Sequence, residues 1–300
     1  MDKPRHPPLI AFMVAAFGIA TFSAMDAVMK GLVLAIGTYV TLFWRSLAGM
    51  LMTGALFASS KPRRPDRRTM RIHATRGLLG SVMAATFFWG LARVPMAQAI
   101  ALAFIAPLMA LYLAAAILKE HVGPRLIGAS IVAFAGVLII VWGQAQAALG
   151  REALLGSIAI LCSAGCYAVN IILMRQQSLA APPVEASFFQ SLFMFIGLIA
   201  AVPVLGIELP PMEKLPMIIL AAFLATTSLL LLSWAYARAQ ASYLATTEYT
   251  SFLWAALFGW LIFSEAVSPF TVAGAAMIIG GCLLAARTPE EADPSMEVAA

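Results

Sequence analysis

Long apolar blocks fill the chain, and ten of them reach the length of a membrane helix. A bilayer core about 30 Å thick takes roughly 20 apolar residues of helix. The blocks run roughly over 9–29, 38–58, 74–93, 95–118, 124–143, 153–174, 185–206, 216–237, 241–263 and 269–287. Pro95, Pro124, Pro216 and Pro269 stand at or near the starts of four of them. Proline in the first turn of a helix costs no hydrogen bond. The connections are short apart from the loop 59–73, and none has room for a soluble domain. The pattern predicts an all-α polytopic membrane protein of ten transmembrane helices.

Composition sharpens this reading. The chain is 62% hydrophobic and 11% charged, whereas a soluble domain carries about 25% charged residues. Mean hydropathy is +0.92. Disorder is excluded by the same numbers. The basic surplus, 19 Lys and Arg against 14 Asp and Glu, is concentrated. Lys61, Arg63, Arg64, Arg67, Arg68 and Arg71 share one loop, without the interleaved aromatics of a nucleic-acid platform. Such a loop marks the cytoplasmic side. With the N-terminus inside, Lys3, Arg5, that loop, Arg76, Lys119, Arg125, Arg175, Arg238 and Arg287 face the cytoplasm; Lys30, Arg93, Arg151 and Lys214 face outward. The bias predicts a multi-pass inner-membrane protein with both termini cytoplasmic. Cys162, Cys166 and Cys282 lie in apolar runs, so no disulfide framework is expected. The first apolar block is too long for a signal-peptide core and reads as a membrane helix.

The second half repeats the first at an offset of 145. Phe43, Ser46 and Leu47 meet Phe188, Ser191 and Leu192; Trp89, Ala92 and Arg93 meet Trp234, Ala237 and Arg238; Glu120, Val122 and Pro124 meet Glu265, Val267 and Pro269. Lys30 meets Arg175, and Gly136 meets Gly281. The organisation expected is one five-helix repeat over 1–148, a second over 149–288, and a disordered acidic tail over 289–300. Five is odd, so the second repeat enters the membrane from the opposite face. Inverted repeats are a signature of secondary transporters, with substrate near the midplane between the halves.

The stretches Trp89-Gly-Leu-Ala-Arg-Val-Pro-Met-Ala-Gln98-Ala99, Leu118-Lys-Glu120-His-Val-Gly-Pro124 and Gly136-Val-Leu-Ile139 resemble the EamA-type repeat of the drug/metabolite transporter superfamily. That repeat has an alanine-rich fourth helix with a mid-helix proline, here Pro107, and an acidic residue just after it, here Glu120. The second copy runs from Trp234 through Glu265 to Gly281. The resemblance covers essentially the whole chain. It implies a ten-helix carrier with cytoplasmic termini, moving small organic metabolites or amino acids across the inner membrane. Arg76-Gly-Leu-Leu-Gly80 and Phe87-Phe88-Trp89 are similar to branches that move amino acids, S-adenosylmethionine or riboflavin. Phe252 stands where the second copy would carry the matching proline, which leaves the bend of that helix open.

A few polar residues inside the spans carry candidate chemistry. Pro107 removes a hydrogen bond to the carbonyl of Ala103, freeing backbone either for a ligand or for a neighbouring helix. Arg45 sits about 10 Å deep at about 1.5 Å per residue. It either grips a carboxylate or phosphate or holds helix ends. Glu248, amid Thr246, Thr247, Tyr249, Thr250 and Ser251, is a candidate proton carrier, or else a fixed ion-pair partner. Asp26 and Lys30, four apart on one helix, either pair with each other or form a gate. Gln98 and Asn170 are substrate ligands or helix–helix glue. Trp89, Trp234 and Tyr249 are the best aromatic walls for a cavity. Glu120 and Glu265 fall at helix ends, as caps or gate brackets.

These features weigh the function classes. An enzyme is not expected: His6, His73 and His121 are placed in the tail and loops, and neither a G-x-S-x-G elbow nor a phosphate loop occurs. No cofactor or metal is expected. A membrane channel is the rival of another class, yet no carbonyl filter or acidic ring is present. The expectation is a secondary carrier for an amino acid or similar amphoteric solute, export favoured. The alternative is import of a larger metabolite such as S-adenosylmethionine or riboflavin. Expected partners are the small-molecule substrate, protons and the lipid bilayer, without nucleic acid, and the expected state is a monomer or weak homodimer.

Overall fold

The computed structural model describes residues 8–60, 65–118, 124–146, 150–236, 238, 244 and 247–286. Helix is the only regular structure among them. In chain order the helices are α1 (Pro8–Ile36), α2 (Thr38–Ser59), α3 (Arg67–Leu91), α4 (Met96–Ala103), α5 (Ala106–Leu118), α6 (Pro124–Gln146) and α7 (Gly150–Ala180). They continue with α8 (Pro183–Ile199), the single turn α9 (Val202–Leu205), α10 (Leu215–Tyr236), α11 (Thr250–Phe263) and α12 (Pro269–Ala286). Among the described residues, four stretches are long and apolar enough to cross a membrane: Leu9–Ile36, Thr38–Ser59, Gly150–Met174 and Met212–Leu232. Glu120, His6, His121, Lys61, Arg63, Arg64, the tail 289–300 and most of the start of the 241–263 block lie outside the described residues.

The surface runs opposite to that of a soluble protein. Ile131, Phe134, Leu138 and Trp142 stand exposed along one face of α6, and Leu253, Trp260 and Leu261 on α11. Asp26, Lys30, His73, Gln98, Asn170 and Gln177 are buried. Apolar outside and polar inside is the arrangement that hydrocarbon solvent selects.

Small residues let the helices close on one another, since packing rather than water exclusion holds helices together in lipid. A Cβ on Gly136 of α6 would stand 2.6 Å from the Gly274 carbonyl oxygen of α12. One on Gly281 would stand 2.7 Å from the Ala129 carbonyl oxygen. These two contacts map onto each other under the offset of 145. So do the α3–α7 crossing, where a Cβ on Gly90 would meet the Gly156 carbonyl at 2.6 Å, and the α1–α10 crossing, where Ala11 and Ala235 are buried in one cluster.

The fourth block is broken where proline predicts. The helix ends at Ala103, turns through Phe104 and Ile105, and restarts at Ala106. The second half turns at Tyr249, the offset mate of Phe104, although Phe252 replaces the proline. Hydroxyls supply the reason. Thr247, Thr250 and Ser251 each donate to the carbonyl three residues back, at 2.7, 2.6 and 2.6 Å. Such side-chain bonds compete with the helix ladder and bend it. Phe104 and Tyr249 meet edge to face, with ring centroids 5.5 Å apart.

One placement differs from the sequence reading. His73 is not in a loop: α3 begins at Arg67 and buries it fully. Asp66 sets that start by accepting from the Thr69 N–H at 2.8 Å, a side-chain N-cap. The Thr69 hydrogen bonds hold the Asp66 carboxyl below the usual carboxylate range.

Candidate functional site

Five buried side-chain atoms find no hydrogen-bond partner among the described residues: Ser23 Oγ, Asp26 Oδ1, Arg45 Nε, Ser46 Oγ and Gln190 Oε1. All lie on three helices, α1, α2 and α8. Ser23 and Asp26 are three apart and share a face of α1. Arg45 reaches from α2 between the other two helices: Nη1 is 3.6 Å from Met25 Sδ and Nη2 is 4.0 Å from Met194 Sδ. Thioether sulfur is a weak acceptor. Asp26 and Arg45 act on each other's charge, yet no Arg45 nitrogen lies within 4.0 Å of an Asp26 oxygen. Asp26 is 1% exposed and Arg45 half-buried. Asp26 lies about 15 Å from the α1 end at Ile36, and Arg45 about 10 Å from the α2 start at Thr38. Asp26 and Arg45 therefore both lie well inside their helices.

One helical turn away along α2 and α8, a crevice of about 430 Å³ opens between α2, α3, α7 and α8. Tyr39, Leu42, Ala85, Trp89 and Leu198 are among its lining, which is mostly apolar. Trp89 is thus a wall, and its ring is also covered by Arg93 at 3.4 Å from the centroid. Trp234 carries Arg238 in the same way, at 4.1 Å. Each arginine also donates to the carbonyl of its tryptophan, at 2.9 and 3.1 Å. The tryptophan–arginine clip is a feature of both halves.

The expected alternative of an Asp26–Lys30 pair is not what forms. Lys30 pairs with Glu265, which follows α11, and donates to the Val94 carbonyl at 2.7 Å. Glu265 Oε2 accepts from the Met96 N–H at 2.8 Å, and Phe263 lies under the ammonium at 5.3 Å. This cluster ties α1 to two connections, the one before α4 and the one after α11, at the end of the bundle where α1 ends. Asp26, one turn deeper, is left to Arg45.

A second polar network lies at the opposite end, between α3, α7 and α8. The Gln177 amide donates to His73 Nδ1 at 2.6 Å, so His73 Nε2 carries the proton toward Glu185 Oε1 at 3.3 Å. Arg76 donates to Asn170 Oδ1 at 3.1 Å and to Gln177. Asn170 is therefore held by an arginine, and Gln98 reaches Ser157 at 3.5 Å. Hydropathy hid His73, Gln177 and Glu185, which sit at span ends; the three-residue spacing of His73 and Arg76 was the available signal. Glu248 is half-buried, and Tyr167 of α7 feels both its charge and that of Arg76. The Cys282 thiol donates to the Phe104 carbonyl at 3.3 Å. One carbonyl at the helix break, that of Phe104, is thus satisfied by α12.

Sequence comparison decides the family. The EamA-like transporter family matches residues 9–142 and again residues 154–287. The chain belongs to the EamA-like transporter family. It resembles the pseudopaline exporter CntI of Pseudomonas aeruginosa, 25% identical over 279 residues, covering 92% of this chain and 95% of that one. A riboflavin transporter of Rhizobium johnstonii is 28% identical over 296 residues, with 95% and 93% covered. A solved chain titled "Crystal structure of protein" superposes with a TM-score of 0.59 at 16% identity, over 93% of this chain and 98% of that one, and shares the fold. As an EamA-family member the chain is a multi-pass membrane transporter and not an enzyme.

Proposed function

We propose that this EamA-family transporter is a ten-span secondary carrier made of two inverted five-helix repeats. It exports an amphoteric small metabolite by alternating access across the inner membrane, with both termini cytoplasmic. The observation that carries the reading is Arg45, a guanidinium well inside its helix whose near neighbours are sulfur atoms. An arginine inside a span whose Nε is buried without an acceptor is costly unless a ligand completes it. The matched crossings, clips and helix breaks at the offset of 145 support the inverted repeat. Lys30 with Glu265 acts as the outer gate, and Glu248 as the coupling residue. Gln98 and Asn170 position helices around the site, while Trp89, Tyr249 and Pro107 shape its walls. The relative named a riboflavin transporter favours a second reading, a larger solute.

Reconstituted protein should show saturable counterflow of labelled amino acids across proteoliposomes. Arg45→Ala should lose it while the unliganded protein melts within a few degrees of wild type. Glu248→Gln should keep counterflow, which needs no gradient, but lose accumulation driven by a pH gradient. A channel-like linear flux would overturn the carrier, and undiminished accumulation would remove Glu248 from coupling.

Orientation has its own check. A cysteine replacing Ser60 in a cysteine-free background should be protected from an impermeant reagent added to intact cells, and one replacing Gln146 should be labelled. The reverse pattern would invert the topology.

A further inference from the structure

We infer that His73 is a proton-binding site that controls how α3 and α7 are joined at the end where α3 begins. With the ring neutral the two helices are latched there, and one proton taken up from water undoes a bond between them. The inference goes beyond the carrier reading above and takes from it only that this end faces the cytoplasm.

Hydrogen-bond roles fix the state of the ring. An arginine has donors only. Arg76 donates through Nη1 to Gln177, so the atom it meets is the amide oxygen Oε1. The amide nitrogen of Gln177 therefore faces His73 Nδ1, at 2.6 Å. That nitrogen also has donors only, so Nδ1 accepts and carries no proton. The ring proton is on Nε2, 3.3 Å from Glu185 Oε1. A proton arriving on His73 has only Nδ1 to occupy, which turns the acceptor into a donor. Gln177 can then turn its oxygen toward His73, but its nitrogen faces Arg76. It can serve one of them and not both, so one bond between α3 and α7 is lost. Among the described residues, the charges that act on His73 are Glu185 from α8 and Arg76 one turn away on α3. From α7 it meets the neutral Gln177, and the Phe189 ring of α8 stacks on it with centroids 4.9 Å apart. The charged ring is thus held by Glu185 while α7 is let go. The close Gly90–Gly156 crossing joins the far parts of α3 and α7, so their other ends can part about it.

The offset of 145 shows that packing does not ask for these side chains. His73, Arg76, Asn170 and Gln177 correspond to Ile218, Ala221, Met25 and Leu32. All four of those are buried and apolar. Glu185 corresponds to Val40. The α1–α10 crossing is built from hydrocarbon, and the α3–α7 crossing from a hydrogen-bonded polar set. Polar groups are costly to bury unless each finds its partner. A network whose partners a single proton can mismatch is therefore a switch and a poor form of glue.

The test uses the full-length protein in lipid nanodiscs, in a cysteine-free background carrying Arg71→Cys and Gln176→Cys. Both positions are exposed, one on α3 and one on α7, and take spin labels. Pulsed electron resonance reads their separation between about pH 8 and about pH 5, the span in which histidine changes charge. The separation should lengthen by about 2 Å or more as pH falls, the scale of helix shifts in switching transitions. His73→Gln should remove the pH dependence. Gln177→Glu should hold the short separation at every pH, because a carboxylate accepts from Arg76 and from protonated His73 at once. Gln177→Leu should give the long separation at every pH. A side chain that only fills space would not set the two substitutions of Gln177 at opposite extremes. Should Gln177→Leu fail to fold, the wild type and the other two variants decide. A separation that stays constant in the wild type overturns the site, as does unchanged pH dependence in His73→Gln. Saturable counterflow with a constant separation overturns the latch and leaves the carrier standing. Release at low pH without saturable counterflow supports the latch and overturns the carrier reading.

Discussion

Glu265→Ala is expected to destabilise the protein by about 3–5 kcal/mol, the usual cost of removing one partner of a buried ion pair. The Lys30 side chain is 4% exposed and that of Glu265 18%. Without the carboxylate, the ammonium keeps the Val94 carbonyl and the face of Phe263, but no counter-charge among the described residues. The Met96 N–H at the start of α4 also loses its acceptor. Lys30→Met should cost less, because Glu265 is the more exposed partner and retains the Met96 bond. The double variant Lys30→Met with Glu265→Leu should recover much of the loss, since a well-packed apolar pair replaces a desolvated ionic one. Thermal melts of the purified protein, arranged as a double-mutant cycle, measure all three. A Glu265→Ala melt equal to wild type would show that the pair is not the clasp at this end of the bundle.

The same pair marks where local reasoning runs out. The spacing of Asp26 and Lys30 is visible in the sequence, but a partner 235 residues away is not. Once α11 delivers Glu265 beside α1, the long lysine reaches it, and Asp26 is released to face Arg45. His73 was hidden for a different reason. A hydropathy window opens the third block only where polar residues stop, whereas the Asp66 cap starts the helix earlier. The all-helical, apolar character of the chain and its family were legible because long apolar runs and the Trp89 and Trp234 segments carry them. The Tyr249 bend was not, since it uses threonine and serine hydroxyls in place of proline. The tryptophan–arginine spacing was visible in both halves. Its meaning needed the rings to be seen beneath the guanidinium groups.

Gly281→Leu on α12 is expected to prevent stable folding, and Gly281→Ala to cost about 1–3 kcal/mol, the usual range for forcing atoms into a closed packing. The added Cβ would stand 2.7 Å from the Ala129 carbonyl oxygen and 3.0 Å from Ala133 Cβ. A backbone oxygen cannot rotate aside as a side-chain end can, so the two helices must separate. Their contact along this face is what holds them together in lipid. The neighbouring Gly280 supplies the control, because a Cβ there meets nothing within 4 Å. Gly280→Ala should therefore be neutral, or stabilise by up to about 1 kcal/mol through helix propensity alone. Gly136→Ala on α6 tests the internal symmetry by energy rather than by shape. Its Cβ would stand 2.6 Å from the Gly274 oxygen, so its cost should match that of Gly281→Ala. Melting curves of the three alanine variants decide the matter. Equal losses at 136 and 281 with none at 280 fit two copies of one crossing. A loss at 280 equal to that at 281 would mean that flexibility, and not close approach, is what these glycines provide.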